Sequence, residues 1–132
     1  MLTLLSETAE LALDLLEKND VLLPFCKVRT PESSTTIITP NGAEGEDGFE
    51  KAAQSVRVEL RRQVEAGTVV EFAFCSDSFI KLQGEPQERR FLKVEFQNGK
   101  PESGEYLFPL SMENQKANLG TYLVADLREK LL

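Results

Sequence analysis

Val69-Val70-Glu71-Phe72-Ala73-Phe74-Cys75 decides the fold. Val70, Phe72 and Phe74 alternate with Val69, Glu71, Ala73 and Cys75, which reads as a strand with one clearly apolar face. Upstream, Phe49, Ala52, Ala53, Val56, Leu60 and Val64 recur at spacings of three and four, predicting an amphipathic helix closed at Gly67 by a left-handed cap. Val58 lies off that stripe as an exposed apolar residue. Downstream, the strand continues, bent, through Phe79-Ile80-Lys81-Leu82 to a turn at Gly84-Glu85-Pro86. Leu92, Val94 and Phe96 then alternate with polar residues in a further strand. Asn98-Gly99 signals a hairpin, and Tyr106-Leu107-Phe108 forms a strand that Pro109 stops.

The N-terminal third supplies a helix and a hairpin. Leu5, Ala9, Ala12, Leu13 and Leu16 fall at helical spacing, with Leu4, Leu11 and Leu15 widening the stripe, and Thr3 or Ser6 as cap. Val21 to Val28 carries Pro24, which suits an edge or the start of a strand. A turn at Thr30-Pro31-Glu32-Ser33 leads to the β-branched run Thr35–Thr39. Leu119, Leu123, Leu127 and Leu131, four apart and beside Tyr122, predict a short C-terminal helix with Asp126 and Lys130 on its other face. The order is α-β-β-α-β-β-β-α. This predicts an α+β fold with an antiparallel sheet of about five strands and helices packed on one face. A single domain is expected over 1–132, with its core in 5–110 and a helical tail over 111–132.

No residue of the 132 is a histidine. That removes the commonest general base, the commonest metal ligand and the Ser-His and Cys-His nucleophile pairs. The two cysteines, Cys26 and Cys75, belong to no CxxC motif and read as buried reduced thiols. A disulfide between them requires that their strands be neighbours. The 22 acidic and 15 basic residues leave a net charge of -7, which disfavours nucleic acid and anionic membranes as partners. No targeting segment or span of ~20 apolar residues is expected, which reads as a cytoplasmic protein. Glu44, Glu46, Asp47 and Glu50 lack the ligand pattern of a calcium loop and are explained by a helix N-terminus. Arg61-Arg62 and Arg89-Arg90 read as surface charges, with Arg61 placed to meet Glu65 and Arg89-Arg90 beside Glu85 and Glu88. The glycines form no phosphate-binding pattern, and Ser33-Ser34-Thr35-Thr36 has no partner base. No catalytic residue, metal ligand or cofactor is assigned.

Pro24-Phe25, Pro40, Ala66-Gly67, Phe91-Leu92-Lys93-Val94-Glu95 and Phe108-Pro109 punctuate residues 5 to 110 in a way that resembles a family of small uncharacterised bacterial proteins. The resemblance implies a fold and a cytoplasmic location and carries no chemistry. The order of elements is also similar to that of roadblock and profilin-like domains, which act through dimerisation and partner binding; this likeness is topological.

The leading expectation is a non-enzymatic protein-interaction or scaffolding domain that self-associates as a homodimer. Tyr122, Leu123, Leu127 and Leu131, or an exposed edge strand with Pro24, would form its interface. A small-molecule-binding protein or enzyme is the alternative, with a pocket between sheet and helices lined by Phe72, Phe74, Phe79 and Phe96 and offering Cys75. An inhibitor or immunity-type protein for a basic partner is a third reading, from the acidic charge.

Overall fold

The structure is a computed structural model that describes residues 3–19, 21–40 and 48–132. Its elements are α1 (Thr3–Asn19), β1 (Phe25–Arg29), β2 (Thr35–Ile38), α2 (Gly48–Glu65), β3 (Glu71–Ile80), β4 (Arg89–Gln97), β5 (Gly104–Glu113), β6 (Lys116–Leu119) and β7 (Leu123–Ala125). The fold is α+β, built on an antiparallel sheet in the order β2-β1-β3-β4-β5-β6, with β7 also paired to β5.

Local chemistry fixes the connections. Thr30-Pro31-Glu32-Ser33 makes the β1–β2 turn through a Ser33 N–H to Thr30 carbonyl bond of 2.9 Å, with Ser33 at φ 68°. Gly67, at φ 75°, ends α2 in a Schellman cap: Thr68 N–H reaches the Gln63 carbonyl and Gly67 N–H the Val64 carbonyl, both at 3.0 Å. Asn98 opens the β4–β5 connection by accepting the Lys100 N–H at 2.9 Å.

The sheet is covered on both faces, a correction to the expected one-sided packing. Strand pairing sets Cys26 opposite Phe74 and Phe25 opposite Cys75. Cys26, Val28, Phe72 and Phe74 therefore face α2 and pack with its Val56 and Leu60. On the other face Phe25, Ala73, Cys75, Val94 and Phe96 pack against Leu5, Ala9, Ala12 and Leu16 of α1. β3 is thus an interior strand buried on both sides, which is why Val69–Cys75 is apolar at almost every position.

The C-terminal helix is absent. Asn114 and Gln115, at φ 50° and 65°, form a tight turn after β5, and β6 and β7 follow it. The sheet accordingly has seven strands rather than about five, and the described residues hold two helices rather than three. Pro109 does not end β5. It lies at the last β4–β5 pair, opposite Phe91, and pairing with β6 begins at Leu110, so its missing N–H falls at a ladder end. The core extends past residue 110: Ala117 is buried on the α1 side, and Leu131 and Leu132 pack on the α2 side. Pro24 immediately precedes β1, which is an interior strand; β2 is the edge.

Candidate functional site

Buried residues on opposite faces cannot share a pocket, and this removes the expected cavity. Phe72 and Phe74 face α2, Cys75 and Phe96 face α1, and the sheet lies between them. Phe79 is 65% exposed, under the guanidinium of Arg90, whose carbon lies 6.0 Å from the ring centroid. Burial pushes the thiols of Cys26 and Cys75 well above the ordinary range, with Glu95 adding to the effect at Cys26 and Asp77 at Cys75. Neither is poised as a nucleophile.

Many charged side chains of the sheet and of α2 are paired. On the α2 face Arg57 grips Glu95 with two bonds of 3.1 and 3.4 Å. Beside them Lys93 Nζ lies 3.2 Å from Glu105 Oε1, close enough for an ion pair but without hydrogen-bond alignment. Arg90 is held by Asp77 at 2.9 Å, Arg89 by Glu85 at 3.2 Å, and Arg62 by Glu59 at 2.9 Å. Arg61 meets Glu129 of the tail at 2.6 Å instead of Glu65. The Asp126–Lys130 pair loses the helix on which it depended. Glu44, Glu46 and Asp47 lie outside the described residues, while Glu50 stands in the first turn of α2. Among the described residues no three His, Cys, Asp or Glu side chains converge as metal ligands.

The surface that remains is built by the segment following β5. Gly120 N–H donates to the Pro109 carbonyl at 2.8 Å, turning the chain back across the sheet. Tyr122 then stacks at a tilt on Phe108 and Tyr106, with centroids 5.4 and 5.2 Å apart. Tyr106 is itself anchored by donation from its hydroxyl to the Glu102 carbonyl at 2.7 Å. Beyond Tyr122, β7 pairs Leu123 with Leu107 and Ala125 with Glu105.

Two adjoining features result. The first is a sheet edge: among the described residues β7 pairs only with β5, and Tyr122, Leu123 and Val124 are 48%, 46% and 58% exposed. The second is a groove of about 450 Å³ between α1 and the β5–β6 side of the sheet. Leu5, Ala9, Leu13 and Leu119 make its floor and sides, Phe108 and Tyr122 its aromatic wall, and Ser6 and Glu10 its polar rim. A second apolar groove of about 510 Å³ lies between Leu15 and the Val21–Phe25 segment, with Thr39 and Pro40 also lining it.

The expected interface residues divide between inside and outside. Tyr122 and Leu123 are at the surface, Leu127 is half-buried, and Leu131 is packed under α2. The buried Gln97 holds that last segment in place, donating to the Glu129 carbonyl at 2.8 Å and accepting the Leu131 and Leu132 N–H groups at 2.7 and 3.1 Å. Val124, Phe108 and the α1 side of the groove were not singled out in the sequence. A strand reading of Leu119–Ala125 would have found Val124.

No protein-family model, curated protein or solved structure matches this chain. Function is therefore read from the geometry. No helix of the described residues is long and apolar enough to cross a membrane.

Proposed function

We propose that this protein is a non-enzymatic interaction domain of the cytoplasm that self-associates as a homodimer through the outer edge of β7. One observation carries the reading: Tyr122, just before β7, and Leu123 and Val124 within it stand exposed in succession, and β7 has one side unpaired among the described residues. Edge strands are ordinarily blunted by shortness, a charge, a proline or a bulge; β7 is short, at three residues, but carries neither charge nor proline within it. Pairing of β7 with its own copy about a two-fold axis satisfies the open backbone groups and extends both faces of the sheet beside Val124 and Leu123. The other edge, β2, is the competing surface, with Thr35 and Thr36 beside an exposed Ile37. Two free, fully buried thiols agree with a reducing compartment.

Sedimentation equilibrium on the full chain tests this. Cutting at Leu110 would remove Ala117 and Leu131 from the core, so surface substitutions are the appropriate probes. The wild-type chain is expected to be a dimer, and the Leu123→Lys/Val124→Lys variant a monomer with an unchanged circular dichroism spectrum. A monomeric wild type, or a dimer broken by Ile37→Lys and not by the β7 changes, overturns the assignment.

A further inference from the structure

The groove between α1 and β5–β6 goes beyond the self-association reading, with which it shares one residue, Tyr122. Four acidic residues of α1 follow one another along the helix, and three are engaged. Glu7 meets Lys27 at 3.3 Å, Asp14 meets Lys18 at 3.0 Å, and Glu17 accepts the Ala117 N–H at 3.0 Å. Glu10 lines the groove, and its carboxylate has no ion pair or hydrogen bond among the described residues. Across from α1 the wall consists of Phe108 and Tyr122, whose rings are 5.4 Å apart. The groove thus combines an aliphatic trough, two aromatic rings and one uncompensated negative charge, in a protein whose net charge is -7.

We propose that this groove is a binding site for a small organic cation: a primary or quaternary ammonium group carrying an apolar body. The aliphatic trough of Leu5, Ala9, Leu13 and Leu119 takes the apolar body, and the volume of about 450 Å³ suits a ligand of that class. The carboxylate of Glu10 and the faces of the rings both favour positive charge, the first by Coulomb attraction and the second through the ring quadrupole. An anionic ligand of the same shape meets a like charge at the rim and binds more weakly.

The chain carries its own reporter. It contains no Trp and only two Tyr, and Tyr106 and Tyr122 are the stacked pair beside this groove. Tyrosine fluorescence is titrated with three probes of matched length: hexyltrimethylammonium, hexanol and hexanoate. The cation is expected to saturate the signal with an affinity about tenfold above that of hexanol, with hexanoate weakest. Glu10→Gln, on the exposed side of the helix, is expected to remove most of the cation's advantage while leaving hexanol unchanged. Equal affinities for cation and anion, no saturation by any probe, or an unaltered cation affinity in Glu10→Gln overturns the proposal. A tyrosine signal that changes with protein concentration alone, and blocks the cation, also overturns it, because a second copy then fills the groove.

Discussion

The side-chain oxygen of Gln97 accepts the backbone N–H of Leu131 at 2.7 Å, across 34 residues of sequence. Gln97 is 1% exposed, and its amide also serves the Leu132 N–H and the Glu129 carbonyl. One buried polar side chain at the end of β4 thereby fastens the last segment beside α2, where Leu131 and Leu132 cover Val56, Leu60 and their neighbours. Gln97→Met keeps the volume and abolishes all three bonds. A net hydrogen bond contributes about 1 kcal/mol, and a polar group left buried costs more. Since the released tail can reach water, the variant is expected to lose about 2 kcal/mol in urea unfolding, with fast amide exchange confined to Leu131 and Leu132 in the native state. A loss below ~0.5 kcal/mol would mean that the tail is held by its leucines alone.

Arg57 is bound twice to Glu95, and its guanidinium carbon lies 4.6 Å from the centroid of the Phe74 ring. The Glu95 side chain is 13% exposed, so removing Arg57 strands a largely buried carboxylate. Arg57→Met is expected to cost about 2–3 kcal/mol, below the full cost of breaking a buried pair because Arg57 is itself partly exposed. Adding Glu95→Leu restores most of that loss, since an apolar pair needs no desolvation. Urea midpoints for the two single variants and the double variant close the cycle; additive losses would contradict this account.

Glu59 gives the clearest dependence on pH. The Arg62 guanidinium, and then the Gln63 amide, hold its carboxyl down at about 2. In the unfolded chain the same carboxyl titrates near ~4.3. A depressed pKa means that the folded state prefers the ionised form. This contribution is therefore complete above the unfolded value and is lost as pH falls from about 4.5 toward 2. The site is at the surface and screened by salt. Glu59→Gln should give a flatter stability curve than wild type between pH 5 and 2, and the two curves should converge at the acid end. Parallel curves throughout would show that the Arg62 contact does not persist in solution.

The fold was legible where one spacing fits one structure. Phe49 to Val64 follow a helical period that no strand shares, and Val69 to Cys75 are too short and too β-prone for a helix. The tail failed for a specific reason. Residues four apart lie on one side of a helix, but an even spacing also puts them on one face of a strand, so Leu119, Leu123, Leu127 and Leu131 could not distinguish the two. The decisive signal was the Asn114-Gln115 turn, where Gln occupies a left-handed position that Gly normally marks. Two-sided covering of the sheet was visible in hindsight from Ala73 and Cys75, which are as apolar as the Phe residues they alternate with. The groove was not legible, because it joins α1 to Phe108 and Tyr122, more than ninety residues away. Nothing in the local sequence of either segment implies the other.

The cysteines make a final case for reading register as well as proximity. β1 and β3 are neighbours, so the strands of Cys26 and Cys75 do meet. They meet one residue out of step: Cys26 is opposite Phe74, and Cys75 is opposite Phe25. A shift of one reverses the face, so one thiol lies under α2 and the other under α1, with the sheet between them. A disulfide would require a strand to slip and expose its whole apolar set, and none is expected under oxidising conditions. Both thiols are also fully buried and held protonated by that burial. Native protein should therefore react with Ellman's reagent only as fast as it opens, and both thiols should react at once in urea. A thiol that reacts with the folded protein at the rate of a free peptide would contradict this packing, as would an intramolecular bond that forms without unfolding.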